Sequence, residues 1–250
     1  MERTKSPSLV LPCYEAISGC RSCGSTILNA VLDLGMQALP DFTKETPAWE
    51  YAPLELVQCT RCGLVQLRHT VVRDRVFRTY FYRSGGSETM RQSLADLAAT
   101  LKALVPDGIV VDIGANDGTM LRHFQGDYAQ VAFEPARNIK SQINGVTIRD
   151  YFSAQAYVAH LPYSRADLIT SIAMFYDVPD PDSFVRDIES ILAPEGVWVV
   201  EMGDLQAMVE NTAFDLIGHE HLAVWSLTSL EVVLARHGLA TWRIERVPTN

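Results

Sequence analysis

Apolar residues recur along the chain in two rhythms. Leu94, Leu97, Leu101 and Leu104 fall three or four residues apart, the spacing of one helix face. This predicts helices over residues 74–80 and 88–104. Between them, Tyr80-Phe-Tyr82-Arg-Ser84-Gly-Gly-Ser87 carries too much Gly and Ser for a helix and is unusually aromatic. A surface loop with its rings tucked against the core and a flap over a pocket are both open readings. From Gly108 the rhythm shortens. Apolar runs at 109–113, 130–133, 146–149, 168–173 and 197–201 read as buried parallel strands. Helices are predicted at 119–124, 182–192 and 229–238, with a last strand near 241–247. Strands alternating with helices specify a doubly wound, Rossmann-like α/β sheet. The organisation expected is a small N-terminal segment (1–73), a helical linker with an aromatic flap (74–107) and the α/β domain (108–250).

Composition narrows the class. Of 250 residues, 48% are hydrophobic and 20% charged, so a core can form and a disordered chain is excluded. No apolar run reaches the roughly 18–20 residues of a membrane span, and the N-terminus has no secretory apolar region. A net charge of −9 argues against a partner held by phosphate neutralisation, such as nucleic acid. It leaves room for a small anionic substrate on a local basic patch. A soluble cytoplasmic protein is expected; its oligomeric state is open.

Four of the five cysteines form two pairs, Cys20-x-x-Cys23-Gly24 and Cys59-x-x-Cys62-Gly63. Each turn aims two sulfurs at one point, and the glycine permits the left-handed backbone that closes it. Two such turns offer four thiolates to a tetrahedral ion. Structural zinc is the expectation; iron, four reduced core cysteines and disulfides are the alternatives. With four ligands from the chain, no position is left for catalysis. Leu32, Leu34, Leu54, Leu56 and Val65 are expected to pack around the ion as short strands. Cys13 is left over.

The turn after the first strand of the α/β region reads Asp112-x-Gly114-x-Asn116-Asp117-Gly118, and Glu134-Pro135 ends the second strand. Ligands of open α/β sheets sit at the carboxyl ends of the strands, where a carboxylate in the position of Glu134 accepts from ribose hydroxyls. A dinucleotide site wants a bare G-x-G-x-x-G turn for its pyrophosphate. Here Asn116 and Asp117 occupy that place, and a carboxylate suits a cation better. S-adenosylmethionine, with its sulfonium and ammonium, is the expected cofactor; a nicotinamide cofactor and a non-catalytic fold are the alternatives. Asp112 reads as ordering the glycine loop or touching the ligand. Tyr151 and Phe152, after the third strand, read as flanking an adenine or as core.

In their order, residues 20–24, 59–66, 80–90, 111–118, 133–135, 174–181 and 214–222 resemble a known family. These are S-adenosylmethionine-dependent C-methyltransferases with an N-terminal zinc-binding domain, acting on nucleotide-linked 4-keto deoxysugars in antibiotic and surface-sugar pathways. Members often continue into a further C-terminal α/β domain, so the resemblance implies a truncated or short form.

Methylating a carbon α to a ketone needs a base for its proton, donors for the enolate oxygen and an in-line methyl. His219-Glu220-His221 offers that chemistry, histidine titrating near neutral pH. Core histidines or a His-x-His metal pair are the structural alternatives. The resemblance implies that Glu220 and His221 lie in the active site, that Met174 lies beside the cofactor, and that a flap tyrosine, Tyr82 rather than Tyr80, holds the enolate oxygen. Two positions depart from the family. Gly218 stands where a tyrosine precedes the Glu-His pair, and Asp177 stands where a histidine often ends the fourth strand. The base is therefore His219 or His221. An O- or N-methyltransferase on another natural product, and a non-catalytic binding protein, are the competing functions.

Overall fold

Residues 13–40 and 50–247 are described by the computed structural model. The N-terminal reading for a secretory segment and the reading of the last residues as a truncated end fall partly outside them. β1 (Tyr14–Ala16), β2 (Leu28–Ala38), β3 (Tyr51–Cys59), β4 (Val65–Leu67) and β5 (His69–Val71) come first. Ala52, Leu54 and Leu56 of β3 are buried at every second position, as a half-covered strand requires. The expectation for the cysteine surroundings is corrected in part. Leu54, Leu56 and Val65 are buried, but they pack with Leu222 and Val224 rather than around the sulfurs. Leu32 and Leu34 are exposed, because β2 forms the edge of its sheet.

α1 (Arg73–Phe77) and α2 (Glu88–Leu104) follow. The Ser87 hydroxyl caps α2 by accepting from the Met90 amide, an N-terminal signal written in the sequence. α2 lays Met90, Leu94, Ala98 and Leu101 against one face of the parallel sheet. That sheet comprises β6 (Gly108–Ile113), β7 (Tyr128–Phe133), β8 (Gly145–Ile148), β9 (Ala166–Ile172) and β10 (Leu192–Glu201). Its order is β10–β9–β6–β7–β8, and every pairing is parallel. The chain runs β6 to β8 in one direction, then returns to place β9 and β10 on the other side. The carboxyl ends of β6 and β9 thus diverge at the switch point. α3 (Ala154–His160) and α4 (Pro181–Ile191) pack on the opposite face. α4 starts on an Asp180 cap and buries Phe184, Val185, Ile188 and Ile191.

α5 (Leu205–Glu210), β11 (Ala223–Val224) and α6 (Leu227–Arg236) complete the described chain. β11 pairs with β4 of the N-terminal sheet, giving the order β11–β4–β3–β2. The segment just before β11 is therefore stitched to the N-terminal region. Two expectations fail. Residues 119–124 hold only a 3-10 turn, Leu121–His123, too short for helical cooperativity. Residues 241–247 form no strand; Trp242 and Ile244 are exposed, with no ladder partner among the described residues. No described helix is long and apolar enough to cross a membrane.

Candidate functional site

The two cysteine turns fold alike. The Cys20 and Cys59 amides donate to the carbonyls of Ser25 (2.8 Å) and Leu64 (2.9 Å). The Gly24 and Gly63 amides return to the Cys20 and Cys59 carbonyls at 2.9 and 3.0 Å. Both glycines have positive φ, 71° and 76°, which their neighbours' side chains would strain. All four sulfurs lie within 4.8 Å of one another. Cys20–Cys62 and Cys23–Cys59 are 3.5 Å apart. Four thiolates at 2.3 Å from zinc define edges of about 3.8 Å, so the cluster fits the ion, and 3.5 Å is far beyond a disulfide bond. Cys20, Cys59 and Cys62 share a core with Phe175, Tyr157 and Trp225, the surroundings of a structural site. Cys13 lies apart, against Leu39, Ala52 and Val71.

A cavity of about 1340 Å³ takes in the carboxyl ends of β6, β7 and β9 and runs on along β10 and α2. Asp112, Gly114, Asn116, Glu134, Pro135, Tyr151, Phe152 and Met174 all line it. Glu134 clamps two loops. Its Oε2 accepts from the Asn116 amide and its Oε1 from the Ala136 amide, both at 2.7 Å. Burial raises its pKa despite these bonds. Asp112 accepts from the Thr170 hydroxyl at 2.7 Å, and burial pushes it up to about 7. Two desolvated carboxyls without a bonded cation thus share this wall, which suits a cationic ligand. Met174 lies over Gly114, where an added Cβ would come within 3.2 Å of its side chain. Tyr151 is covered by the guanidiniums of Arg73 and Arg78, 4.0 and 4.8 Å from its ring centroid, and its hydroxyl donates to Asp74. Phe152 meets Phe133 and Phe184 edge-on, so it serves the core as well as the cavity.

Two residues predicted to bind the cofactor are not on the cavity wall. Asp117 accepts from the Gly85 amide (3.0 Å) and the Thr119 hydroxyl (2.6 Å), fastening the flap to the loop. Gly118 faces Ile143, which a Cβ would approach to 2.6 Å. Asn116 reaches the cavity but is also a fastener: its Oδ1 accepts from the Ser84 amide (3.2 Å), and its Nδ2 donates to the Tyr82 carbonyl (3.1 Å). Arg83 adds bonds to the Tyr80 and Tyr82 carbonyls at 2.7 and 2.8 Å. The aromatic stretch is therefore a pinned flap, with Tyr80 and Tyr82 on the cavity wall. The Tyr80 phenol is pushed up by burial first, then by Glu220, Asp177 and Glu134. It stands between the cofactor side and the far side.

That far side holds His221. Its Nδ1 lies 2.9 Å from the Leu216 carbonyl. A carbonyl only accepts, so Nδ1 carries the hydrogen and Nε2 keeps its lone pair. The ring stands edge-on to Tyr176 at 4.6 Å, and Glu220 Oε1 is 3.6 Å from Nε2. His219 turns away: its Nε2 bonds the Ala52 carbonyl at 3.1 Å. Both His219 and Glu220 line a separate pocket of about 490 Å³ with Leu54 and Pro40. Of the two histidines, the structure brings His221 to the large cavity. Sequence reasoning gave Tyr176 no role and named Asp177 only as a departure from the family, standing where a histidine often ends the fourth strand. Both line the cavity immediately after β9, and the available signal was their position just past the strand's carboxyl end.

A family model described as "Methyltransferase domain" matches residues 82–244, and one described as "Putative zinc binding domain" matches residues 20–77. C-methyltransferase NovU of Streptomyces niveus is 32% identical over 239 residues, covering 89% of this chain and 56% of that protein. The chain thus spans little more than half the length of this curated relative. Among solved structures, the plantazolicin methyltransferase BamL superposes with a TM-score of 0.49 at 13% identity, over 60% of this chain and 63% of that one. The cyclopropane synthase MmaA2 of Mycobacterium tuberculosis gives 0.47 at 19% identity, over 68% and 70%.

Proposed function

Because the chain belongs to the methyltransferase-domain family, we propose that it transfers a methyl group from S-adenosylmethionine to a carbon α to a ketone, on a nucleotide-linked deoxysugar. The observation that carries this reading is His221. The Nδ1 bond to Leu216 leaves Nε2, beside Glu220, as the nitrogen able to take a proton, and the residue lines the cavity that holds the Asp112–Glu134 wall. When bound, S-adenosylmethionine supplies an electrophilic methyl on a sulfonium. Glu134, Asp112 and the Gly114 turn hold it; Tyr151, with Pro135 and Met174, flanks it. His221 Nε2 takes the proton from the acceptor carbon, and Glu220 stabilises the imidazolium that forms. Tyr80 and Tyr82, phenols kept protonated by burial, donate to the enolate oxygen from the flap and exclude water.

The sugar assignment draws on the order of motifs across the chain and on the likeness to a C-methyltransferase. The reading extends to a role in antibiotic or surface-sugar synthesis. A zinc cluster of four reduced thiols suits the cytoplasm. The described residues of the zinc-binding segment, with the linker 74–107, would serve as the mount for the flap. The test is wash-in of solvent deuterium at the carbon α to the ketone of a thymidine-diphosphate-linked 4-keto-6-deoxyhexose. The zinc-loaded protein is saturated with S-adenosylhomocysteine in place of the methyl donor. Wash-in is expected; its absence beside intact methylation of a hydroxyl or amine acceptor transfers the protein to the O- or N-methyltransferases.

A further inference from the structure

Asp177 lies in the 3-10 turn Phe175–Asp177 at the carboxyl end of β9. It lines the cavity and keeps part of its surface there. Its Oδ1 is sealed in the wall with no hydrogen-bond partner. The charged group acting on it is Glu220 from the segment before β11, and Asp177 in turn acts on the phenols of Tyr80 and Tyr176. None is a cation, and one is a like charge. A carboxylate with a sealed, unpartnered oxygen is costly to keep ionised. Burial, with Glu220 adding to it, pushes this carboxyl well above the usual range. A sealed oxygen without a donor disfavours the carboxylate form, and the second oxygen is the one left to meet a ligand.

We propose that Asp177 is a catalytic residue, a neutral carboxyl donating a hydrogen bond to the substrate's ketone oxygen as that oxygen gains negative charge. The proposal rests on the C-methylation reading above and assigns a donor that neither the family models nor the relatives specify. Tyr80 and Tyr82 come from the flap and Asp177 from the turn after β9, and all three line the same cavity. In the step, the C–H pair becomes the C=C bond and the carbonyl π pair moves onto oxygen. His221 Nε2 takes the proton, and Asp177 shares its hydrogen with the oxygen. When the carbon takes the methyl and the C–S bond breaks, the pair returns to C=O and Asp177 keeps its hydrogen.

Two variants and two readouts test this. Asp177→Asn keeps a donor without charge; Asp177→Leu removes the donor at similar size. In the deuterium wash-in assay, Leu is expected to slow exchange about 100-fold, the usual loss of one oxyanion donor. Asn should stay within about tenfold of the unmutated protein. Infrared difference spectra of the unmutated protein minus Asp177→Asn at pH 7 should show a protonated carboxyl C=O stretch that moves in heavy water. Asp112→Asn separates the band of the other raised carboxyl. Exchange by Leu at the unmutated rate overturns the proposal. So does exchange by Asn as slow as Leu, which marks a carboxylate base. Absence of the Asp177 band overturns it even where the Leu variant misfolds. No exchange by the unmutated protein defeats the C-methylation reading itself, and the infrared band then still reads the state of Asp177.

Discussion

The two walls of the cavity are built in opposite ways. The cofactor wall comes from short consecutive stretches at the ends of β6 and β7, and its polar groups are satisfied inside the protein. Glu134 accepts two amides, Asp112 accepts a hydroxyl, and Asn116 fastens the flap. The acceptor wall is assembled from the flap, the turn after β9 and the segment before β11, far apart in sequence. It holds the loose ends: an imidazole nitrogen on His221 with only the Glu220 carboxylate near it, and a sealed, unpartnered oxygen on Asp177. A wall that must bind one invariant ligand can be finished in advance. A wall that must move a proton keeps groups whose partners arrive with the substrate.

The largest effect should erase the distinction. The cysteine cluster shares its core with Phe175 and Trp225, whose rings stack at 5.1 Å, and β11 ties the His221 segment to β4. Removing zinc with a chelator is therefore expected to abolish cofactor binding and turnover together. Elemental analysis and calorimetry on one sample check it; full cofactor affinity at zero zinc would detach the cluster from both walls. Next, His221→Ala should cut turnover by about 10²–10⁴-fold and leave the Kd for S-adenosylhomocysteine within about twofold. Glu134→Ala should do the converse. It frees the Asn116 and Ala136 amides and weakens cofactor binding by about 1–3 kcal/mol, read by calorimetry. Equal effects of the two substitutions on affinity would merge the walls.

The smallest effect is a pH dependence. Asp112, at about 7 in the folded protein, must lose its proton to meet a cation. Affinity for S-adenosylmethionine should fall by up to about tenfold per pH unit below 7 and level off above it. Asp112→Asn should flatten that slope. The same shift acts on stability with its own sign. A carboxyl raised by folding favours the folded state most at low pH, below its unfolded pKa. That contribution is lost as pH climbs from about 4 to 7. Asp112→Asn should remove this decline in denaturant titrations.

The difference between the walls also explains what was legible in the sequence. Local signals travelled well. Leu94, Leu97 and Leu101 marked α2, the apolar runs marked β6 to β10, and the paired Cys-x-x-Cys-Gly turns marked the sulfur cluster. All of these depend on neighbours within a few residues. The Asp112–Gly118 turn and Glu134 were legible for the same reason. Glu134 nonetheless proved to be a clamp, and Asp117 and Asn116 proved to hold the flap. Choosing His221 over His219 depended on β11 pairing with β4, a long-range contact without a local pattern. Asp177 gave no sign of its isolation, because an orphaned oxygen is defined by what is absent around it in space. Leu32 and Leu34 misled because the alternation of an edge strand does not say which face is covered.

The β6–β7 wall, on this reading, binds a cationic thioether donor rather than a dinucleotide. Calorimetric titration of the zinc-loaded protein with S-adenosylmethionine and, in parallel, with NAD tests it most directly. Saturable binding of one S-adenosylmethionine per chain, with no heat from NAD, is the predicted result. Binding of NAD with none of S-adenosylmethionine would contradict it.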